Sequence, residues 1–479
     1  MLRKLLIVLS VIFCFVIIAV LVLRHYYSTG ALQEAVLDKV INRMSSLSPN
    51  ATSTVENTIL IKKLLGFDQK QNYLILFLNN TELRPGGGFI GVYSVISLEN
   101  GIPKIEKVEG TEILDNYAPQ NYESIPPEPI KKYLKVDRWA FRDSNWSPDF
   151  AVSSQKSLEF YKKEKGLLAD NINSVVGITP TVMEELLKIT GPLKIEGEEY
   201  NSQNFTEKLE YEVEYGYKDK SIEQRDRKKI LQDLTLQVLQ KLRTDVFKNW
   251  GSYFSLVEKM LAQKQIILYS TDADKQKVFA SKLWSGEMSS SSADYLLYAD
   301  ANLGAWKTDV VMKRELVYEV FPVTSTFHAR VTMKYAHQGE FDWRTRDYRT
   351  YARIYVPLGS KLEKVINPVK NIPVDQGIEN GRQWFGTFIS IPAGKSSDLV
   401  FEYTVSPRVD AQIKSGVYNL DVQKQIGTIA HTLTLSLDFG KKVVFANPGE
   451  NPKNYGDNRF DYQTDLSVDR EFMVKTEKK

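Results

Sequence analysis

The sequence predicts an α/β mixed-sheet domain, then an all-β immunoglobulin-like sandwich, with one N-terminal transmembrane helix ahead of both. Three observations predict it. Residues Leu5 to Leu23 carry no charge; strand-length and helix-period segments alternate up to about residue 304; and beyond it the apolar period is two, with turn residues between the runs. The implied organisation is an anchor over 1–28, a helical membrane-proximal stalk over 29–69, an α/β domain over 70–304, a β-sandwich over 305–445 and a polar C-terminal segment over 446–479.

The apolar run spans roughly 28 Å as a helix, the hydrocarbon thickness of a bilayer. Arg3 and Lys4 precede it, and Arg24-His25-Tyr26-Tyr27 follows where a signal peptide would need small residues for cleavage. It reads as an uncleaved single-pass anchor in the cytoplasmic membrane, with most of the chain extracytoplasmic. Cys14, the only cysteine, lies inside this run, so the rest of the 479 residues can form neither disulfides nor zinc-thiolate sites. Without Arg3 and Lys4, the 62 basic residues nearly balance the 59 acidic ones. No basic stripe appears, which argues against nucleic acid as a partner.

In the stalk, Leu32, Val36, Val40 and Met44, then Leu60, Leu64 and Leu65, keep helical spacing. Tyr73 to Leu78 is a continuous apolar run suited to a strand covered on both faces. Phe89 to Leu98 and Ile102 to Val108 flank Glu99-Asn100-Gly101, a hairpin signal. Pro119, Pro126, Pro127 and Pro129 make 115–130 an extended loop, and a helix follows from about Ala151 to Lys165. Ser174 to Ile178 is a strand; Thr179 caps the next helix, which stops at Gly191. Arg227 to Arg243, Trp250 to Ala262 and Lys275 to Leu283 are helical stripes around a strand at Ile266 to Tyr269. In the β region, Phe327, Ala329, Val331, Met333 and Tyr335 alternate with polar residues, and no helix is expected among the strands.

The chemistry on offer is arginine and carboxylate. There is no G-x-S-x-G, H-E-x-x-H or P-loop, and the G-x-G-x-x-G at Gly86, Gly88 and Gly91 leads into a strand, not a helix. In Glu82-Leu83-Arg84-Pro85-Gly86-Gly87-Gly88, three glycines permit close backbone approach and an anion nest, and Arg84 offers a planar fork for phosphate. The competing reading is a glycine-rich turn with Arg84 paired to Glu82 or Asp143. Arg142-Asp143, Trp146 and Asp149 form a second candidate: carboxylates for magnesium over a pyrophosphate, or simply a helix cap and a core aromatic. The mixed-charge run Asp342 to Arg349 reads mainly as a solvated loop.

The stretches Asn79 to Gly91, Asp143 to Phe150, Val175 to Pro180 and Ile189 to Leu193 resemble a bacterial membrane-anchored family known as domain of unknown function 4012; Asp300 to Gly304 and Lys424 to Gly427 also look like its pattern. The order of elements is similar to the LytR-CpsA-Psr phosphotransferases, which attach lipid-linked glycopolymers to the cell wall. That likeness implies Arg84, Arg142 and Asp143 as catalytic residues, with Glu82 able to stand in as a metal ligand; joined to the nest and carboxylate readings above, the expected ligand contacts are Glu82, Arg84, Gly86, Gly87, Gly88, Arg142 and Trp146, and the expected magnesium ligands Asp143, Glu82 and Asp149. The sequence departs from it at Gly86, where that family has a metal-binding aspartate, and at Phe141, where it has proline. Two readings follow: an envelope protein binding an anionic lipid-linked glycan or cell-wall polymer, or a glycopolymer phosphotransferase.

Overall fold

The computed structural model describes residues 60, 62–119, 122–195, 197–216, 237–238, 240–242, 249–450, 452–454 and 456–477. The expected anchor, most of the stalk and most of the helix expected at 227–243 lie outside these residues. Among the described residues no helix is long and apolar enough to cross a membrane.

The first domain is an α/β unit. In chain order it holds β1 (Gln71–Asn79), β2 (Phe89–Glu99), β3 (Ile102–Gly110), α1 (Thr111–Asp115), α2 (Glu128–Leu134), α3 (Phe150–Lys163), β4 (Ser174–Ile178), α4 (Thr181–Thr190), the small pair β5 (Leu193–Ile195) and β6 (Glu198–Tyr200), α5 (Phe205–Tyr211), α6 (Trp250–Ala262), β7 (Ile266–Ser270) and α7 (Ala273–Ser281). The main sheet runs β3-β2-β1-β4-β7, parallel only between β1 and β4. Successive residues of β1 point to opposite faces. Tyr73, Ile75 and Phe77 join a core with α4 and α6, while Leu74, Leu76 and Leu78 join another with Phe150, Phe160 and Tyr161 of α3. The unbroken apolar run is thus what a strand between two helical layers requires.

Asn100 and Gly101 turn the β2–β3 hairpin with positive φ, and Asp149 caps α3 by accepting from the Val152 amide at 3.1 Å. Two local expectations need correcting. Thr179 does not cap α4; its hydroxyl donates to Gln265 Oε1 at 2.5 Å, and Pro180 precedes the helix. The stalk boundary also moves, because Leu60 and Leu65 are buried in the first of these cores with Leu64 and Phe67 packed beside them.

The second domain is a sandwich built from β8 (Asp294–Asn302), β9 (Met312–Val323), β10 (Thr326–His337), β11 (Tyr348–Pro357), β12 (Lys361–Ile366), β13 (Val374–Glu379), β14 (Arg382–Ile391), β15 (Ser396–Thr404), α8 (Pro407–Ser415), β16 (Val417–Gln423), β17 (Thr432–Asp438), β18 (Val443–Asn447), β19 (Arg459–Asp465) and β20 (Arg470–Thr476). One sheet runs β12-β15-β10-β9-β17-β19 and the other β13-β14-β11-β8-β16-β20-β18. Their facing side chains, among them Tyr318, Val331 and Phe401 from one and Ile354, Phe385 and Leu420 from the other, form one core. The sandwich is longer than 305–445. It takes in β8, buried at every position in mid-sheet, and the β19 and β20 strands, whose Phe460, Phe472 and Val474 complete its core. It also contains a helix where none was expected: Ser406 accepts from the Val409 amide at 3.4 Å, Pro407 opens α8 and Gly416 closes it.

Candidate functional site

The loop leaving β1 runs into the seam between the two domains. Arg84 lies there with only 2% of its surface exposed. Its Nε donates to Asp143 Oδ1 at 3.0 Å, Nη2 to Glu82 Oε1 at 3.2 Å, and Nη1 to the carbonyls of Leu83 at 3.1 Å and Asn302 at 2.6 Å. Four of the five guanidinium donors are therefore engaged within the protein. Burial opposes the charge on Arg84, yet the Asp143 and Glu82 carboxylates outweigh it and hold the group protonated. Burial also pushes the Glu82 carboxyl up, against the pull of Arg84.

The glycines serve the same seam. The Gly86 amide donates to the Asn145 carbonyl at 3.0 Å and the Gly87 amide to the Arg84 carbonyl at 2.9 Å, so neither is left for an anion. Asn145 Nδ2 returns a bond to the Gly88 carbonyl at 2.7 Å. From the sandwich, Gln425 Nε2 reaches the Arg84 carbonyl at 3.1 Å, and a β-carbon on Gly427 would overlap the Gly87 carbonyl. The Leu83 amide donates to Asp309 Oδ2 at 2.9 Å.

The other residues expected at a phosphate site are placed as follows. Arg142 does not join Arg84; it pairs with Asp115. Asp143 faces Arg84. Trp146 is half-buried against Ala301, Leu303, Tyr351 and Phe388, with the Arg353 guanidinium 4.5 Å over its ring. Asp149 uses Oδ1 for the α3 cap and Oδ2 for the Met288 amide at 2.9 Å. Among the described residues, no three His, Cys, Asp or Glu side chains are grouped to hold a metal. Glu82 and Asp143 are committed to a guanidinium and Asp149 to amides, so this set does not fit magnesium and no step is derived through it.

A cleft of about 720 Å³ opens beside the seam, at the carboxyl ends of the parallel strands β1 and β4. Asn80, Thr81, Thr181, Glu184 and Thr206 line one wall; Lys334, Asp398 and His431 stand among the residues of the other. Its charges balance, Lys313, Arg314, Lys334 and Arg344 against Glu184, Asp309, Glu315 and Asp398. Below Thr81, Glu210 accepts from the Thr81 hydroxyl at 2.6 Å and from Arg344 Nε at 2.7 Å. Burial raises the Glu184 and Glu210 carboxyls, countered at Glu184 first by the Thr206 hydroxyl and at Glu210 first by Arg344.

A family model described as a protein of unknown function, DUF4012, matches residues 68–214. That DUF4012 segment ends before β7, which completes the first sheet, and before Asn302 and Gln425, which complete the seam. No curated protein matches the chain. Among solved structures, native leukotriene A4 hydrolase from Saccharomyces cerevisiae is 14% identical over 34% of this chain and 28% of that one, with a TM-score of 0.22. An M1 zinc metallopeptidase from Deinococcus radiodurans is 10% identical over 34% of this chain and 42% of that one, with a TM-score of 0.19. The chain thus spans less than half the length of either, and such scores establish no common fold.

Sequence reasoning missed the cleft. Its lining is scattered from Asn80 to Thr432, one or a few residues per element, so no single motif outlines it. The stretch Asn79 to Gly91 contributes Asn80, Thr81 and Leu83, and the run 342–349 contributes Arg344, but neither was read as part of a cleft.

Proposed function

We propose that this chain is a membrane-tethered, extracytoplasmic envelope protein that binds a hydroxyl-rich cell-wall polymer in the cleft between its domains. The observation that carries the reading is the cleft lining itself, in which hydroxyls, an amide and charges of both signs come from both domains. Asn80, Thr81, Thr206, Arg344 and, through Nε and Nη2, Arg314 bond within the protein, so what meets a ligand is chiefly the partly exposed Lys334 and Asp398 and the remaining lone pairs of the hydroxyls, a sparse set of both signs that suits sugar hydroxyls better than a dense anion. The committed donors of Arg84 and the committed oxygens of Asp149 favour binding over phosphoryl transfer. In this reading the uncharged segment 5–23 is the membrane helix and the sandwich, immunoglobulin-like in its strand spacing, holds the cleft's outer wall.

The test uses the full chain in detergent micelles with insoluble bacterial wall sacculi. The protein is expected to sediment with the sacculi, and the double variant Lys334→Ala with Asp398→Ala to stay in the supernatant while keeping its melting temperature. Wild-type protein that never sediments with sacculi overturns the reading.

A further inference from the structure

One sheet of the sandwich ends on the cleft in a row of three side chains. Tyr335 of β10 pairs with Arg314 of β9, and the parallel register of β17 with β9, Thr432 opposite Glu315, sets His431 one step earlier beside Arg314. Paired residues share a face, so the three continue the side of the sheet that buries Leu316 and Leu433, and all three line the cleft. Arg314 is tied down on two edges. Its Nε donates to Asp300 Oδ2 at 3.0 Å, and its Nη2 to Asp309 and, at 2.7 Å, to the Tyr348 hydroxyl. Only 8% of the side chain is exposed, yet Nη1 meets no acceptor among the described residues. Neither ring nitrogen of His431 meets a hydrogen-bond partner there either. Ile429, 67% exposed, and Ala430 line the same cleft just ahead of His431 and put apolar surface beside this polar pair.

We infer that this end of the sandwich is an acetamido subsite, which selects N-acetylated amino sugars among the polymers the cleft can hold. The inference rests on the proposed glycan-binding reading. Arg314 Nη1 donates to the acetyl carbonyl, His431 accepts from the amide N–H, and Ile429 covers the methyl group. A guanidinium only donates, so its free edge calls for an acceptor, and a buried donor left without one costs free energy. That acceptor is neutral, because Asp300 and Asp309 already balance the Arg314 charge and would repel a ligand carboxylate. Burial, with Arg314 and then Lys424 repelling a second proton, lowers the His431 imidazolium to about 3. The neutral ring keeps one bare nitrogen to accept an N–H. A secondary amide bearing a methyl group presents an acceptor, a donor and an apolar end together; a sugar hydroxyl lacks the apolar end.

The experiment titrates the full-length protein in detergent with three soluble tetramers and in parallel measures sacculus retention. Chitotetraose carries an acetamido group on each ring, cellotetraose a hydroxyl at the same position, and the glucosamine tetramer an ammonium. Wild type is expected to bind chitotetraose about tenfold or more tighter than cellotetraose, the worth of one hydrogen bond to a charged donor. His431→Ala and, at an exposed position that leaves the core untouched, Ile429→Ser are expected to weaken chitotetraose binding more than cellotetraose binding, so that most of the preference is lost. Wild-type retention with equal or undetectable affinity for these two tetramers, or with a preference that survives both variants, overturns this inference and leaves the cleft reading standing. Tightest binding of the glucosamine tetramer would make the subsite a cation site and likewise overturn the inference. Absence of retention by wild type overturns both.

Discussion

The Asn302 carbonyl, at the end of a sandwich strand, accepts from Arg84 Nη1 of the α/β domain at 2.6 Å, and the Asn302 amide returns a bond to the Leu83 carbonyl at 2.9 Å. The guanidinium is thereby a joint between domains, tied on its other edges to Asp143 and Glu82. Arg84→Ala leaves two buried carboxylates facing each other without a cation. It is expected to cost about 3–5 kcal/mol of stability, measured by urea unfolding. A near-normal midpoint would reopen a ligand-binding role for this side chain.

Gly427 sits at φ +76° with its backbone against Gly87. Gly427→Ala combines left-handed strain with a backbone collision and should lose about 3 kcal/mol or more. Gly381, at φ +71° with nothing nearby, provides the control. Gly381→Ala carries strain alone, about 1–2 kcal/mol. Equal melting-temperature losses in the two variants would refute the close approach.

Asp115 and Glu164 each bury one oxygen with no partner when both are drawn as acceptors. A proton held by Glu164 and shared with Asp115 satisfies both, and burial, followed by repulsion from Asp115, raises the Glu164 carboxyl to about 8. Arg142, Arg138 and Asp143 face the pair. Because the folded state holds this proton more tightly than the unfolded one, stability is complete below the ordinary glutamate value and falls as pH rises toward about 8. Glu164→Gln supplies a fixed N–H in place of the proton. Melting temperatures from pH 5 to 8 should decline less steeply in the variant.

Lys424 is buried in the seam, and burial, with Lys264 repelling it, lowers its ammonium to about 7. The sign is opposite: folding is disfavoured while the unfolded lysine holds a proton that the folded one releases. Stability therefore rises between about pH 7 and the ordinary lysine range. Lys424→Met should be more stable than wild type at pH 7 and lose that advantage by pH 10, in urea titrations at both values.

The elements legible in the sequence were those whose cause is local. The two-faced run of β1, the turn at Asn100-Gly101 and the cap at Asp149 each depend on residues within a few positions. The pairing of Arg84 with Glu82 and Asp143 was also within reach, as one of two readings. What closed the question was Asn302, 218 residues away, and Gln425, 341 residues away, which spacing does not reveal. The same distance hid the cleft, and the short length of α8 hid it among strands.

The seam bears on inheritance. A stretch of gene can be shuffled between proteins as a unit when its product folds wherever it lands. Residues 68–214 fail that condition here: moved alone, they would leave β4 without its β7 neighbour and turn the Arg84 carbonyl and guanidinium toward water. Recombination that respected this fold would have to carry both domains, so relatives sharing the loop of Arg84 should be found carrying counterparts of Asn302 and Gln425 as well.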